Sequence, residues 1–152
     1  MGKQRNWKRE HQEMRQFRSE ARQYLYQCKG EYLGKMMAFA FDGKQAVFEA
    51  SGYIPGKNYQ EYAREFAAEA PWRSLIRKNL TRQFCDCAEA HVWFEIVARG
   101  KNPKNYIIGA LNERGNFASP CQNCALWVDS TFKAVYRTTP AYEGRTKQVP
   151  GA

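Results

Sequence analysis

Between residues 3 and 28, Trp7, Met14, Phe17, Ala21, Tyr24, Leu25 and Cys28 recur at three- and four-residue steps, with charged residues between them. Positions so spaced share one helical face, so the pattern predicts an amphipathic helix. Gly30 and Gly34 end it. From residue 36 to residue 50, two aromatic and apolar runs flank Asp42-Gly43, which predicts a β-hairpin. Tyr59, Tyr62, Ala63 and Phe66 mark a helix over 58–69. Pro71 interrupts it, and a short amphipathic piece follows over 74–80. Ala88, Val92, Trp93, Ile96 and Val97 are spaced for the buried face of a helix over 87–99, which Gly100 and Pro103 terminate.

The run "NYIIGALN" predicts a strand within 105–111, and "ERGNFAS" a turn. Pro120 is expected to start a helix through about Asp129. "FKAVYRT" predicts a strand over 132–138, and "RTKQV" a short edge strand. Strands alternate with helices after the hairpin. The order predicts a three-layer α/β/α sandwich with a mixed sheet of four to five strands. Its 152 residues suit one domain over 1–152, with the helix of 1–29 packed on or extending from it.

Charge sharpens this picture. The chain has 24 basic and 15 acidic residues, a formal charge of +9. Lys3, Arg5, Lys8, Arg9, Arg15, Arg18, Arg22 and Lys29 crowd the first 29 residues against Glu10, Glu13 and Glu20. Such a balance favours a polyanionic partner, of which nucleic acid is the commonest. No apolar run approaches the length of a membrane span. The opening "MGKQRNWKRE" lacks the apolar core of a secretory signal, so a cytoplasmic protein is expected.

The cysteines carry the candidate chemistry. Cys85 and Cys87 form C-x-C, Cys121 and Cys124 form C-x-x-C, and Cys28 stands apart. An odd number of clustered thiols in a chain without a signal reads better as metal binding than as a disulfide framework. Cys87 and Cys121 fall at predicted helix starts, where the helix dipole and unpaired N–H groups favour thiolates. Three thiolates leave a tetrahedral zinc one position for water. Glu89, two residues after Cys87, is placed to move that water's proton. The bland alternative is a closed four-thiolate staple from Cys85, Cys87, Cys121 and Cys124. His91 is a rival ligand, or a helix residue that packs and hydrogen-bonds nearby. Trp93, Phe94 and Trp127 fit core positions better than stacking platforms.

Cys87-Ala88-Glu89, a strand, and then Pro120-Cys121-Gln122-Asn123-Cys124 resemble the two signatures of the zinc-dependent cytidine deaminase superfamily, [HC]-x-E and P-C-x-x-C. The resemblance implies a cytidine deaminase-like fold. It makes Cys87, Cys121 and Cys124 ligands of Zn2+ and Glu89 the proton shuttle for zinc-hydroxide attack at C4 of cytosine, giving uracil. It also counts Ala88 with the substrate-binding residues, and Ser119 as well, because "SPC" at Ser119–Cys121 is similar to the nucleic-acid-editing branch. There the serine carbonyl accepts a hydrogen bond from the base's amino group.

The substrate expected is nucleic acid, DNA ahead of RNA. Nucleoside deaminases carry N-x-E in the second hairpin strand, whereas this chain has Glu49 with no Asn two residues before it. In editing deaminases a loop after the later strand reads the neighbouring base. Here "RTTPAYEG" offers Arg137 and Tyr142 to pair and stack. The chain further resembles compact deaminase domains of bacterial polymorphic toxins. That would imply delivery into a target cell's cytoplasm and an immunity protein as partner. Two other readings stand beside it: a deaminase of free cytidine or a related small molecule, and a structural-zinc nucleic-acid-binding protein.

Overall fold

A computed structural model describes residues 7–28, 36–52, 54, 56–72, 87–112, 116–120 and 124–136. Within these, the first helix, α1, runs Trp7–Cys28, and the hairpin is β1 (Met37–Phe41) and β2 (Ala46–Ala50). Helix α2 (Tyr59–Glu65) and helix α3 (Ala88–Ala98) follow. A 3-10 turn at Pro103–Asn105 leads into β3 (Ile107–Leu111) and β4 (Phe117–Ala118). A second 3-10 turn at Cys124–Leu126, helix α4 (Val128–Thr131) and β5 (Ala134–Tyr136) complete the described chain. The 74–80 piece and the 145–149 edge strand anticipated from the sequence lie outside the described residues.

The five strands make one mixed sheet. β1 is antiparallel to β2 on one side and to β3 on the other, with Phe39 opposite both Phe48 and Gly109. The far edge of β3 is shared. β5 pairs parallel with Ile107–Gly109, and β4 pairs antiparallel with Ala110 and Leu111.

Every residue of β1 and β3 is buried, because helices cover both sheet faces. Side chains alternate along a strand, so each strand feeds two cores. Met37, Phe39, Phe41, Phe48, Ile107, Leu111 and Tyr136 pack with Met14, Phe17 and Ala21 of α1. Ala38, Ala40, Val47, Ile108 and Val135 pack instead with α3 and its neighbours. The mixed α/β class with helix layers on both faces therefore follows from the period-2 pattern of the strands.

Three local features differ from the sequence reading. The hairpin turns through four residues, not two, since Phe41–Ala46 is the last pair. Asp42 Oδ1 accepts from the amides of Lys44 (2.8 Å) and Gln45 (2.7 Å), which closes the wider loop, and Gly43 takes φ +100°. The stretch expected to be only a turn contains β4, which at two residues is too short to show periodicity. The helix expected from Pro120 to Asp129 is broken within its described part. Trp127 (φ −137°, ψ −20°) separates the Cys124–Leu126 turn from α4. Its indole is buried against Trp72 and Phe132, and its carbonyl accepts from the hydroxyls of Ser130 and Thr131. Val, Asp, Ser and Thr are weak helix formers, so packing decides the backbone there.

Helix α3 stops where the sequence placed its end. Gly100 takes φ +73°; its N–H bonds the Val97 carbonyl (2.9 Å), and the Lys101 N–H bonds that of Ile96 (3.0 Å). This paired arrangement is a Schellman cap. No helix among the described residues is long and apolar enough to cross a membrane.

Gly109 is where the α1 layer meets the sheet most closely. A Cβ there would lie 2.9 Å from Cζ and 3.0 Å from Cε1 of Phe17, and 3.3 Å from Cβ of Tyr136. The Phe17 ring is held by Phe39, Phe117 and Tyr136 and has little room to move. Gly109→Ala should therefore destabilise the fold by about 1–3 kcal/mol, as overpacked cores do. Urea unfolding of Gly109→Ala, Phe17→Leu and the double variant checks this. The double variant should lose less than the sum of the two singles, whereas strict additivity would contradict the clash.

Candidate active site

Cys87 is the N-cap of α3. Its φ −81° and ψ 144° are extended, and its carbonyl accepts the first helical hydrogen bond, from His91 N (3.0 Å). The thiol itself makes no cap hydrogen bond to the helix. Ala88 and Glu89 follow in the first turn, and all three residues are buried. A carboxylate in that turn is favoured by the positive end of the helix.

The second motif reaches this point from across the chain. Cys124, fully buried, donates through Sγ to Oε1 of Glu89 at 3.4 Å, a contact between residues 35 apart in sequence. Cys124 begins the 3-10 turn that precedes Trp127, and the Trp127 N–H bonds the Cys124 carbonyl at 3.0 Å. So the structure brings Glu89 at the start of α3 together with Cys124. Ser119 is exposed, just past β4. Cys121, Arg137 and Tyr142 lie outside the described residues, as does Cys85. Among the described residues, no three His, Cys, Asp or Glu side chains converge to hold a metal ion.

His91 faces other work. Its Nδ1 lies 2.6 Å from the carbonyl of Ala50, so that nitrogen carries the hydrogen and donates. The ring stacks on Tyr59, centroids 3.8 Å apart and 11° from parallel. Trp93, Phe94 and Trp127 are buried and pack edge-on around Trp72, as core residues do. Trp127 Nε1 is buried and has no hydrogen-bond partner among the described residues.

A polar cluster that the residue pattern did not reveal lies next to His91. Tyr59 Oη is 2.8 Å from Oε2 of Glu49 and 2.9 Å from Oε2 of Glu95. Lys57 Nζ is 2.9 Å from that same Glu95 oxygen, and the Ala50 N–H donates to Glu49 Oε1 (3.1 Å). A phenol has one hydrogen and donates to one carboxylate at a time. The Lys57 cation offsets the second charge at Glu95. The only signal in the sequence is three charged residues at positions 49, 57 and 95, which no local period links.

No family model, curated protein or solved structure matches this chain. Its function must therefore be read from its own residues.

The cluster sets a pH response. Burial, together with the charges of and hydrogen bonds to Glu49 and Glu95, raises the Tyr59 pKa far above the usual phenol range. The hydrogen bond to Glu95 raises that of Lys57 against a smaller opposing effect of burial. Both groups hold protons more tightly folded than unfolded. Their contribution is complete below about pH 10, where the unfolded side chains begin to ionise, and is lost as pH rises beyond it. The unfolding free energy should thus fall above about pH 10. Tyr59→Phe should cost about 1–3 kcal/mol near neutrality, because buried carboxylates lose a donor. It should also make the alkaline fall shallower; an equally steep fall would show that Tyr59 does not cause it.

Proposed function

We propose that this chain is a zinc-dependent deaminase that converts cytosine to uracil in nucleic acid, DNA ahead of RNA. The observation that carries the reading is the contact of Glu89 Oε1 with Cys124 Sγ at the start of the helix that Cys87 caps. One residue from each of two motifs far apart in sequence meets the other there, out of water: a carboxylate and a thiol.

The donor set suits zinc. Cys87 and Cys124 are soft sulfur ligands buried from solvent, and Cys121 precedes Cys124 by one helical step in the sequence. These three cysteines would hold the metal, which when bound supplies a Lewis acid that acidifies water. Glu89 does the remaining proton work. Its carboxylate takes a proton from water as oxygen adds to C4, and delivers it to N3 of the base. A second transfer through the same carboxylate protonates the amino group, which leaves as ammonia while the C4 carbonyl forms. Cytosine and water become uracil and ammonia. Burial strengthens each of these transfers, because few waters compete for the carboxylate.

Glu49 supports a polymeric substrate over a free nucleoside. Its carboxylate is buried and engaged by Tyr59 Oη and the Ala50 N–H, so it is committed to the fold and not offered to a ribose. The +9 charge points the same way.

The test is incubation of the purified protein with single-stranded DNA, duplex DNA, RNA and cytidine, with uracil read by mass spectrometry and zinc by elemental analysis. One zinc per chain and uracil in DNA are expected. Glu89→Ala should keep fold and zinc yet lose activity by about 10⁴-fold, the upper end for acid–base catalysis. Cys121→Ala should lose both metal and activity, with some stability. Substantial turnover by Glu89→Ala would leave a zinc staple without chemistry, and turnover of cytidine alone would make the substrate a nucleoside.

A further inference from the structure

We propose that the outward side of α1 is a second docking surface for nucleic acid, on the sheet face away from the candidate active site. α1 packs in the core formed by Met37, Phe39, Phe41 and Leu111, whereas α3 packs in the core on the opposite face. A partner held by α1 is therefore bound independently of Glu89 and its cysteines.

The surface is a line of residues. Lys8, Gln12, Arg15, Ser19, Arg22 and Tyr26 succeed one another at alternating steps of four and three, and all six are exposed. Such steps keep to one side of a helix, here the side turned from Met14, Phe17 and Ala21. The line is about 27 Å long and spaces its three cations about 10.5 Å apart, from a rise of about 1.5 Å per residue. Half-buried Arg18 adds a fourth charge at its margin. No ion pair holds Lys8, Arg15, Arg18 or Arg22 among the described residues.

Two of the helix's acids, Glu13 and Glu20, are kept aside. Glu13 is paired with Arg9 (3.6 Å) and with Lys133 (3.1 Å), and Glu20, two turns further on, is half-buried on that same flank. A solvated helix mixes its signs for solubility; this one separates them, which produces a one-sign stripe. The spacing of the cations corresponds to roughly three base-pair rises along the axis of B-form duplex, where each strand carries a phosphate about every 3.4 Å. Tyr26, at 73 % exposure, ends the line. A lipid surface fits less well. Helices that lie on membranes present apolar residues to the acyl boundary, and those of α1 are spent on the sheet.

The test compares the full chain with Lys8→Gln/Arg15→Gln/Arg22→Gln, and with a control set, Lys44→Gln/Arg64→Gln/Lys101→Gln, which removes as many charges from exposed positions elsewhere. Labelled single-stranded and duplex oligonucleotides are titrated at several salt concentrations, and thermal melts confirm that each variant folds. Each phosphate deprived of its cation should flatten the log–log salt slope by about 0.9 on duplex and about 0.7 on single strands, so the stripe variant should lose about 2–3 units. Its affinity at low salt should fall at least about tenfold, and the control's slope should change by less than about one unit. The same drop should appear in a Glu89→Ala background, which separates this surface from the deaminase reading. Equal drops in both sets would reduce the effect to overall charge and overturn the proposal. So would an unchanged slope in the stripe variant, no oligonucleotide binding by the parent chain, or stripe-dependent binding to phosphatidylserine vesicles alone.

Discussion

The packing of α3 on the small-residue face of β1 and β3 governs where this protein buries its polar groups. Ala38, Ala40 and Ala110 present methyl groups to that side, and α3 settles on them with every residue from Ala88 to Ile96 buried. A helix so enclosed has no solvated side for its charges. Glu89, His91 and Glu95 must each find a partner within the protein, since an unmatched buried polar group costs several kcal/mol. Each partner comes from a different element: Cys124 for Glu89, the Ala50 carbonyl for His91, and Tyr59 with Lys57 for Glu95. The polar contacts thus stitch α3 to the strand below it and to the segments beside it.

The two sheet faces divide the labour. The α1 face is filled by large rings, with Phe17 at the centre of Phe39, Phe117 and Tyr136. That core has no buried charge among its described members, and it accepts Phe17 only because residue 109 has no side chain. The α3 face combines alanines, a tryptophan cluster and the polar groups. Stability without polar burial is concentrated on one side, while the other carries the carboxylates and thiols. The N-terminal end of α3, where the helix dipole is positive, lies at Cys87 and Glu89.

The same division would separate the proposed docking surface on α1 from the proposed active site. A long helix whose inner side is held by aromatic packing can display cations outward without disturbing the site across the sheet. Arg15 and Arg22 are exposed on the face opposite the core that holds α3, and their field is screened within about 8–10 Å at physiological salt.

What was legible in the sequence was local. The heptad-like recurrence of Met14, Phe17 and Ala21, the alternation through Phe39 and Phe41, the apolar face of α3 and its Gly100 stop each depend on neighbours within a few positions, so one strand or helix period reveals them. The same holds for Cys87 and Glu89, whose place at a helix start follows from adjacent residues. The tertiary structure alone decided the rest. It joined Glu89 to Cys124, and Lys57 to Glu95 across 38 positions. It put His91 against Ala50 across 41, so that a histidine read as either a ligand or a packing residue has its Nδ1 engaged by backbone. It also split the helix beyond Cys124 by burying Trp127, and made a strand from two residues. No periodicity encodes such pairings. They are set by which surfaces are brought together once the sheet is buried on both faces, and by the cost of leaving a polar group without a partner there.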